Sequence, residues 1–482
     1  MKKLTLLLAL AGLSAGAYAQ DSIPAANVQL NQYGQKVESL PVNASVQDGI
    51  LVFQNKDAKY KMWFDIRLQS DAAVYFGEPD FCAPQINGKD NTSHIGNGLS
   101  IRRARFAVKA QINEDWYAEF DTDWTSGTPE IKDAYIAFTG LEGFEFKAGN
   151  FKENFSLSRN TTSRYLMFME RPMATSLAPS RHLGFNARYN HGWLWLSGGV
   201  FGPELKGSEE QTAMEDGNKD YGYNEGLSYT GKIVYRPFYK LDHASLHIGA
   251  AASFRNPKLT STDGYFTGRF STRNSTNINR KKYLDTDDVK GLNHEFAWTV
   301  ELAGHWNQLR VESAYIARAM NINKDECIKN NYKYTNQWAE GWYVEAGYLL
   351  FGGTQNYDAG GAKYTRTTND HKWGNLELTA RYEFCDLNTG KLFSNKVEDT
   401  DIFGGSAEAF AVGLNYYPNK NVKIMLNYQY NNNDRYANAK GKSYVGYDLN
   451  GAPTKDPFKV VAKSGDGGVD YHMLALRLQV AF

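Results

Sequence analysis

Between Lys61 and Ala72, apolar Met62, Phe64, Ile66 and Leu68 alternate with Lys61, Trp63, Asp65, Arg67, Gln69 and Asp71. A period of two puts successive side chains on opposite faces, so the stretch predicts a strand with one apolar and one charged face. A soluble sheet shows the same alternation, and one strand of this kind does not separate it from a membrane barrel. Repetition does. The pattern returns at Ile101–Ala110, Trp116–Thr122, Phe144–Ala148, Trp193–Val200, Phe296–Leu302, Leu376–Phe384, Phe410–Tyr416, Val422–Tyr430 and Leu474–Phe482, with weaker examples between. This predicts an all-β fold, a transmembrane antiparallel β-barrel of about 16 strands.

The connections fall into two kinds. Asn113-Glu114-Asp115, Asn190-His191-Gly192 and Asn419-Lys420-Asn421 are short turns, whereas 201–226, 255–293 and 434–468 are long and polar. Short turns on the periplasmic side and long loops outside are what an outer-membrane barrel shows. At the start of the chain Lys2 and Lys3 precede the apolar run Leu4–Leu13 and the small-residue site Ala17-Tyr18-Ala19, so residues 1–19 read as a secretory signal. Residues 20–59 lack clean alternation and are expected to form a periplasmic or lumen-tucked lead-in, with the barrel over 60–482. The final strand sets Leu474, Leu476, Leu478, Val480 and Phe482 on one face. It is expected to be recognised by the barrel-assembly machinery through Phe482.

Composition changes the picture in three ways. After residue 19 there is no run of about 18 apolar residues, so a lipid crossing requires a closed barrel and not a helix. The 31 Tyr, 26 Phe, 10 Trp and 44 Gly suit aromatic girdles and glycine-rich strands. Lys and Arg number 53 against 53 Asp and Glu, which gives no general attraction to nucleic acid. Cys82, Cys327 and Cys385 are too few for a disulfide framework, although Cys82 and Cys327, both in expected outer loops, are candidates for one bridge. No cofactor or metal site is expected from the spacing of His, Cys and carboxylates.

Several stretches, taken in order, resemble the phosphate-selective porin family of the O and P type. They are IRRARFAVKAQINEDWYAEFDTDW (Ile101–Trp124), IKDAYIAF (Ile131–Phe138), KAGNFKENFSLS (Lys147–Ser158), SRYLMFMER (Ser163–Arg171), APSRHLGFNARY (Ala178–Tyr189) and FAVGLNYYPNKNVKIMLNYQY (Phe410–Tyr430). The resemblance implies a sixteen-stranded barrel, a homotrimer in the outer membrane, and a third extracellular loop, here about 150–181, that folds inward and narrows the pore. It also implies passive diffusion of small hydrophilic solutes, among them anions such as phosphate or polyphosphate.

A constriction lined with guanidinium and ammonium groups replaces part of an anion's hydration and repels cations. Alternation puts Arg67 on the lumen face of the first strand and Arg103, Arg105 and Lys109 on the face opposite Phe106 and Val108. Arg102 matches the family's basic pair, but alternation sends it to the other face unless a bulge turns it inward. The loop brings Lys152, Arg159, Arg164, Arg171 and Arg181, with Glu119, Asp121, Asp123 and Asp133 on the wall as partners that would hold it in place. Lumen positions also collect Glu145, Glu312, Glu345, Glu377 and Glu383 beside Lys147, Arg188, Lys232, Arg236, Arg310, Arg381 and Arg477, so the wall is mixed. A general-diffusion barrel with a surface-adhesin role stays open on that count. An outer-membrane hydrolase is the other alternative, but His243 and His247 lack the zinc-protease motif and no serine sits in a nucleophile elbow.

Overall fold

The computed structural model describes residues 29–31, 33–37, 41–77, 85–86, 89–90, 95–205, 226–256, 267–280, 282–332, 336–388, 402–433, 446–447, 450, 452–454 and 469–482. The expected signal segment, Met1–Ala19, and Cys82 fall outside them. Among the described residues, those up to Asn43 form one compact unit and those from Ala44 onward another. In the first, Gln29–Leu30 pairs antiparallel with Lys36–Val37.

The second unit is a closed antiparallel barrel. Its first eight wall strands are β1 (Lys61–Phe76), β2 (Gly98–Ile112), β3 (Trp116–Asp123), β4 (Glu130–Phe138), β5 (Phe144–Lys152), β6 (Arg181–His191), β7 (Leu194–Phe201) and β8 (Ser228–Tyr235). The other eight are β9 (Ala244–Arg255), β10 (Leu292–Trp306), β11 (Leu309–Ile322), β12 (Gln337–Leu349), β13 (Asn375–Asn388), β14 (Phe403–Tyr417), β15 (Val422–Asn433) and β16 (Val469–Ala481). Each pairs with its neighbour in sequence, and β16 returns to β1 in a register running from His472↔Phe76 to Ala481↔Arg67. Closure removes the free edges that an open sheet would expose. Within the expected lead-in, Ile50–Asn55 adds to the start of β1, with Val52 opposite Trp63.

Alternation sorts the side chains as an inverted core. Leu68, Val74, Phe106, Phe120, Ile136, Phe185, Ile248, Val300, Leu378, Leu474 and Leu476 are exposed on the outer face, where lipid takes the place of water. Arg236, Arg255, Arg381 and Arg477 are among the largest fully buried side chains. Buried charge of this kind is tolerated only when paired and hydrogen-bonded. The pairs are present: Arg381 with Glu345 at 2.6 Å, Arg310 with Glu312 at 2.6 Å, Lys232 with Glu301 at 2.6 Å, and Arg477 with Asp71 at 2.6 Å.

Much of the lumen is filled by residues 153–180, between β5 and β6. The segment holds a short helix, Leu157–Asn160, whose cap Ser156 accepts from the Arg159 amide, and 3-10 turns at Ser163–Tyr165 and Met173–Leu177. Phe155, Leu157, Met167, Met173 and Ala174 are buried. Its backbone is held by lumen-facing side chains: Met169 N donates to Asn427 Oδ1 (3.0 Å), Met173 N to Glu383 Oε2 (2.5 Å), Asn415 Nδ2 to Met167 O (2.9 Å) and Lys423 Nζ to Leu166 O (2.7 Å). A segment without long regular structure thus satisfies its polar groups on the wall.

One connection breaks the expected alternation of loop lengths. Residues 350–374, between β12 and β13, lie at the end of the short turns and yet form a folded insert, in which Tyr357–Asp358 pairs with Lys363–Tyr364. Arg310 stacks on the Tyr364 ring at 3.7 Å, Trp195 Nε1 donates to Gly360 O at 3.0 Å, and the Tyr357 hydroxyl meets His247 Nδ1 at 2.7 Å. These partners face the lumen, so the insert supplies carbonyls and a ring to groups that the wall alone leaves unsatisfied. It is tied at its far end by Arg366, whose Nη1 lies 2.5 Å from Asp48 Oδ2, while Lys420 Nζ lies 2.6 Å from Asp48 Oδ1.

Candidate functional site

On β2, Arg103, Arg105 and Lys109 point inward by simple alternation, and Arg67 comes from β1 directly across from Arg105. Like charges directly opposite on neighbouring strands repel. Carboxylates on β1 and β3 offset the repulsion. Arg105 Nε is 3.2 Å from Asp123 and its Nη1 is 3.4 Å from Asp121, while Lys109 Nζ is 2.8 Å from Asp65 and 3.5 Å from Glu119. Arg67 Nη1 donates to Ser163 Oγ at 2.9 Å, which ties the wall to the lumen segment.

Arg102 corrects the simple alternation. Gln69 lies opposite Arg103 but Ser70 lies opposite Ile101, so β2 carries one extra residue there. That residue is Arg102, and the bulge releases its side chain from the outward set. It grips Glu170 of the lumen segment through Nε (2.6 Å) and Nη2 (3.0 Å). Arg477 Nη2 reaches the same carboxylate at 2.8 Å.

The other loop residues divide by what holds them. Arg181 makes a two-pronged pair with Asp133 (3.1 and 2.7 Å), and Arg164 pairs with Asp65. Arg159 and Arg171 are held by backbone carbonyls instead. Arg159 Nη2 donates to Thr175 O (2.7 Å) and Ala178 O (3.2 Å), and Arg171 donates through Nε to Ser158 O (2.6 Å) and through Nη2 to Thr161 O (2.6 Å). Their charges are therefore positioned without being neutralised.

Two chambers meet at these residues. One, toward the short turns, has a volume of about 470 Å³ and is lined by twelve Arg and Lys against six Asp and Glu. The other, toward the long loops, is about 750 Å³, with ten Arg and Lys against three Asp and Glu. The residues common to both linings are Arg103, Arg105, Arg159, Arg171 and Arg181. Arg67, Lys109, Lys152 and Arg164 line the turn-side chamber, and Arg102 lines the loop-side one. The ten residues singled out in the sequence thus converge on one region.

Some contributors were not legible in the sequence. Lys363 comes from the insert at 350–374, at the end of the barrel that carries the short turns, and Arg273, Arg280 and Lys282 come from the long β9–β10 connection. Nothing in a polar loop sequence says which residues turn toward the lumen. Conversely, Glu312, Glu345, Glu377 and Glu383 line neither chamber. Glu312 and Glu345 pair with wall arginines, Glu383 accepts from the lumen segment, and Glu377 accepts from Gln355, Asn415 and Tyr417, so a wall of mixed composition encloses a passage that is predominantly basic.

Glu119, Asp121 and Asp133 approach closely enough to hold a metal ion, but each faces a cation, at 3.5, 3.4 and 2.7 Å respectively. His247 is wedged between Glu301 (3.2 Å) and Tyr357, and His243 packs on the Trp306 ring at 5.4 Å. Cys327 and Cys385 are buried and are not joined to each other. Cys327 Sγ lies 3.7 Å from Lys290 O; the bridge to Cys82 considered from the sequence involves a residue outside the described ones.

The description of phosphate-selective porin O and P matches residues 75–450. The chain belongs to that family. Its members are porins, and this one is an outer-membrane β-barrel porin. Porin O of Pseudomonas aeruginosa is 24% identical over 419 residues, covering 82% of this chain and 88% of its own. An uncharacterized protein of Caulobacter vibrioides is 26% identical over 342 residues, which covers 69% of this chain but only 63% of the relative's length. Among solved structures, an anion-selective porin from Comamonas acidovorans aligns with 88% of this porin and 100% of its own chain at 10% identity and a TM-score of 0.49. OmpT of Vibrio cholerae aligns with 88% of this porin and 98% of its own chain at 10% identity and a TM-score of 0.47.

Proposed function

We propose that the porin is a water-filled channel for passive entry of small anions, phosphate among them, and that it performs no catalysis. The observation that carries this reading is the neck. Every side chain shared by the two chamber linings is an arginine, and two of them, Arg159 and Arg171, have only carbonyl partners. A charge inside a narrow passage walled by protein is screened less than one at an open surface, so a few positioned arginines outweigh a formally neutral chain. The guanidinium fork matches the oxygens of phosphate, and carbonyls that hold one side of it leave the remaining donors for a passing ion.

On this reading the long loops face outside, the turns face the periplasm, and a solute passes from the larger basic chamber through the neck into the smaller one. A homotrimer and recognition of the strand ending in Phe482 by the barrel-assembly machinery belong to the same proposal. The test is the reversal potential of the reconstituted channel across a potassium chloride gradient. An anion-to-cation permeability ratio above one is expected, with block by millimolar phosphate; a ratio below one overturns the reading.

A further inference from the structure

The two chambers differ in a way that charge does not describe. The loop-side lining contains no aromatic residue, whereas the turn-side lining contains Trp63, Tyr135, Phe151, Tyr165 and Tyr364. Three of the five rings are already engaged. Tyr364 is buried beneath Arg310, Phe151 is buried, and the Lys147 ammonium sits 4.4 Å over the face of Tyr135. Trp63 and Tyr165 are half-buried. Trp63 touches its nearest ring partner, Tyr117, only in a tilted contact at 6.0 Å, and Tyr165 lies no nearer than 5.9 Å from the Arg164 guanidinium. Both rings therefore keep surface toward the chamber that Arg67, Lys109 and the neck arginines also line.

Resting on the reading of the neck as an anion path, we propose that the turn-side chamber is a binding site for anions that carry a six-membered ring, such as aryl or glycosyl phosphates. The oxyanion is taken by the neck arginines while the ring lies against Trp63 and Tyr165. The chamber's volume of about 470 Å³ admits such a solute, within the size range of small-molecule sites. Ring faces favour stacking on flat π-systems and on the apolar faces of sugars. An acyclic anion gains only the arginine contacts. Ring-bearing anions should accordingly dwell longer.

Single-channel recordings in chloride with phenyl phosphate, glucose 6-phosphate and glycerol 3-phosphate test this, the last serving as an acyclic phosphate monoester. Blockades by at least one ring-bearing phosphate should last at least about fivefold longer than those by glycerol 3-phosphate. Lengthening by phenyl phosphate alone identifies aryl anions as the class, by glucose 6-phosphate alone glycosyl phosphates, and by both the ring itself. Trp63→Leu and Tyr165→Leu, made separately and together, should bring the ratio toward one while glycerol 3-phosphate blockades keep their length. Equal blockade times for all three solutes in an anion-selective wild-type channel overturn the inference and leave the anion path standing. Persistence of the difference in the assembled double variant overturns it too. A cation-selective wild type instead removes the reading on which it rests.

Discussion

Replacing Arg159 and Arg171 by glutamine removes the two neck charges that have no carboxylate partner, and the effect on selectivity follows from elementary electrostatics. A unit charge acting on an ion about 6 Å away in a water-filled neck contributes about 0.7 kcal/mol at the dielectric constant of water. At about 0.15 M salt the screening length is about 8 Å, which leaves roughly half of that. The anion is stabilised and the cation destabilised by the same amount, so each arginine changes their relative barrier by about 0.7 kcal/mol, or about threefold in permeability ratio. The double variant should therefore lose about tenfold of its anion preference, and more at low salt. The matched control is Asp133→Asn with Arg181→Gln, which deletes a neck arginine together with the carboxylate 2.7 Å from it and leaves the net charge unchanged. Reversal potentials in a salt gradient, on channels that run as heat-modifiable folded barrels, give both ratios. If the control falls as far as Arg159→Gln/Arg171→Gln, or if the latter keeps the wild-type ratio, uncompensated charge at the neck is not what selects the ion.

Arg103→Ala with Arg105→Ala should lower the anion-to-cation ratio and also widen the passage, seen as a larger unit conductance, since both side chains line both chambers. Asp48→Ala removes the carboxylate that anchors Arg366 of the turn-side insert and Lys420 of the β14–β15 turn, and should raise open-channel current noise without changing the sign of the selectivity. Hydrogen bonding from Lys420, helped by the charge of Arg366, holds the Asp48 carboxyl below the usual carboxylate range. A depressed carboxylate stabilises above its unfolded value and loses that contribution as pH falls through the folded one; the same noise should therefore appear in the wild type below about pH 4 and be absent at pH 7. Gly149→Ala, at φ +130 with Ala134 O only 2.3 Å from the position of an added Cβ, should cost about 1–3 kcal/mol and lower the temperature at which the folded band is lost on electrophoresis.

The wall was legible because its rule is local. A strand that meets lipid on one side and water or polar packing on the other must alternate, and the alternation at Lys61–Ala72 or Val422–Tyr430 survives whatever lies across the lumen. The neck was legible in its residue types and not in its pairings. Whether Arg181 or Arg171 keeps its charge free depends on Asp133 lying opposite one and carbonyls opposite the other, and that is decided by how residues 153–180 turn. Arg102 escaped the rule because a single extra residue resets the face, and alternation is blind to a bulge. The insert at 350–374 was not legible because a polar segment rich in Gly and Thr reads as solvent-exposed, while its anchors, Trp195, Arg236 and Arg310, lie far away in sequence.

The bonds that hold the lumen segment also have a consequence in time. Arg477 binds Met169 O and Glu170, and Gln479 Nε2 donates to Arg164 O at 3.2 Å, across separations of more than 300 residues. Asp71, on β1, shares Arg477 with the segment. Contacts so distant along the chain form late, because closing the intervening loop must precede any reward from the contact. The final strand is thus the last brick of the wall and also the keystone of the filter. A barrel still open between β1 and β16 has its arginines in sequence but not in position; on the proposed reading of the neck, discrimination between ions then begins only at the moment of closure, and partly assembled chains offer no selective path.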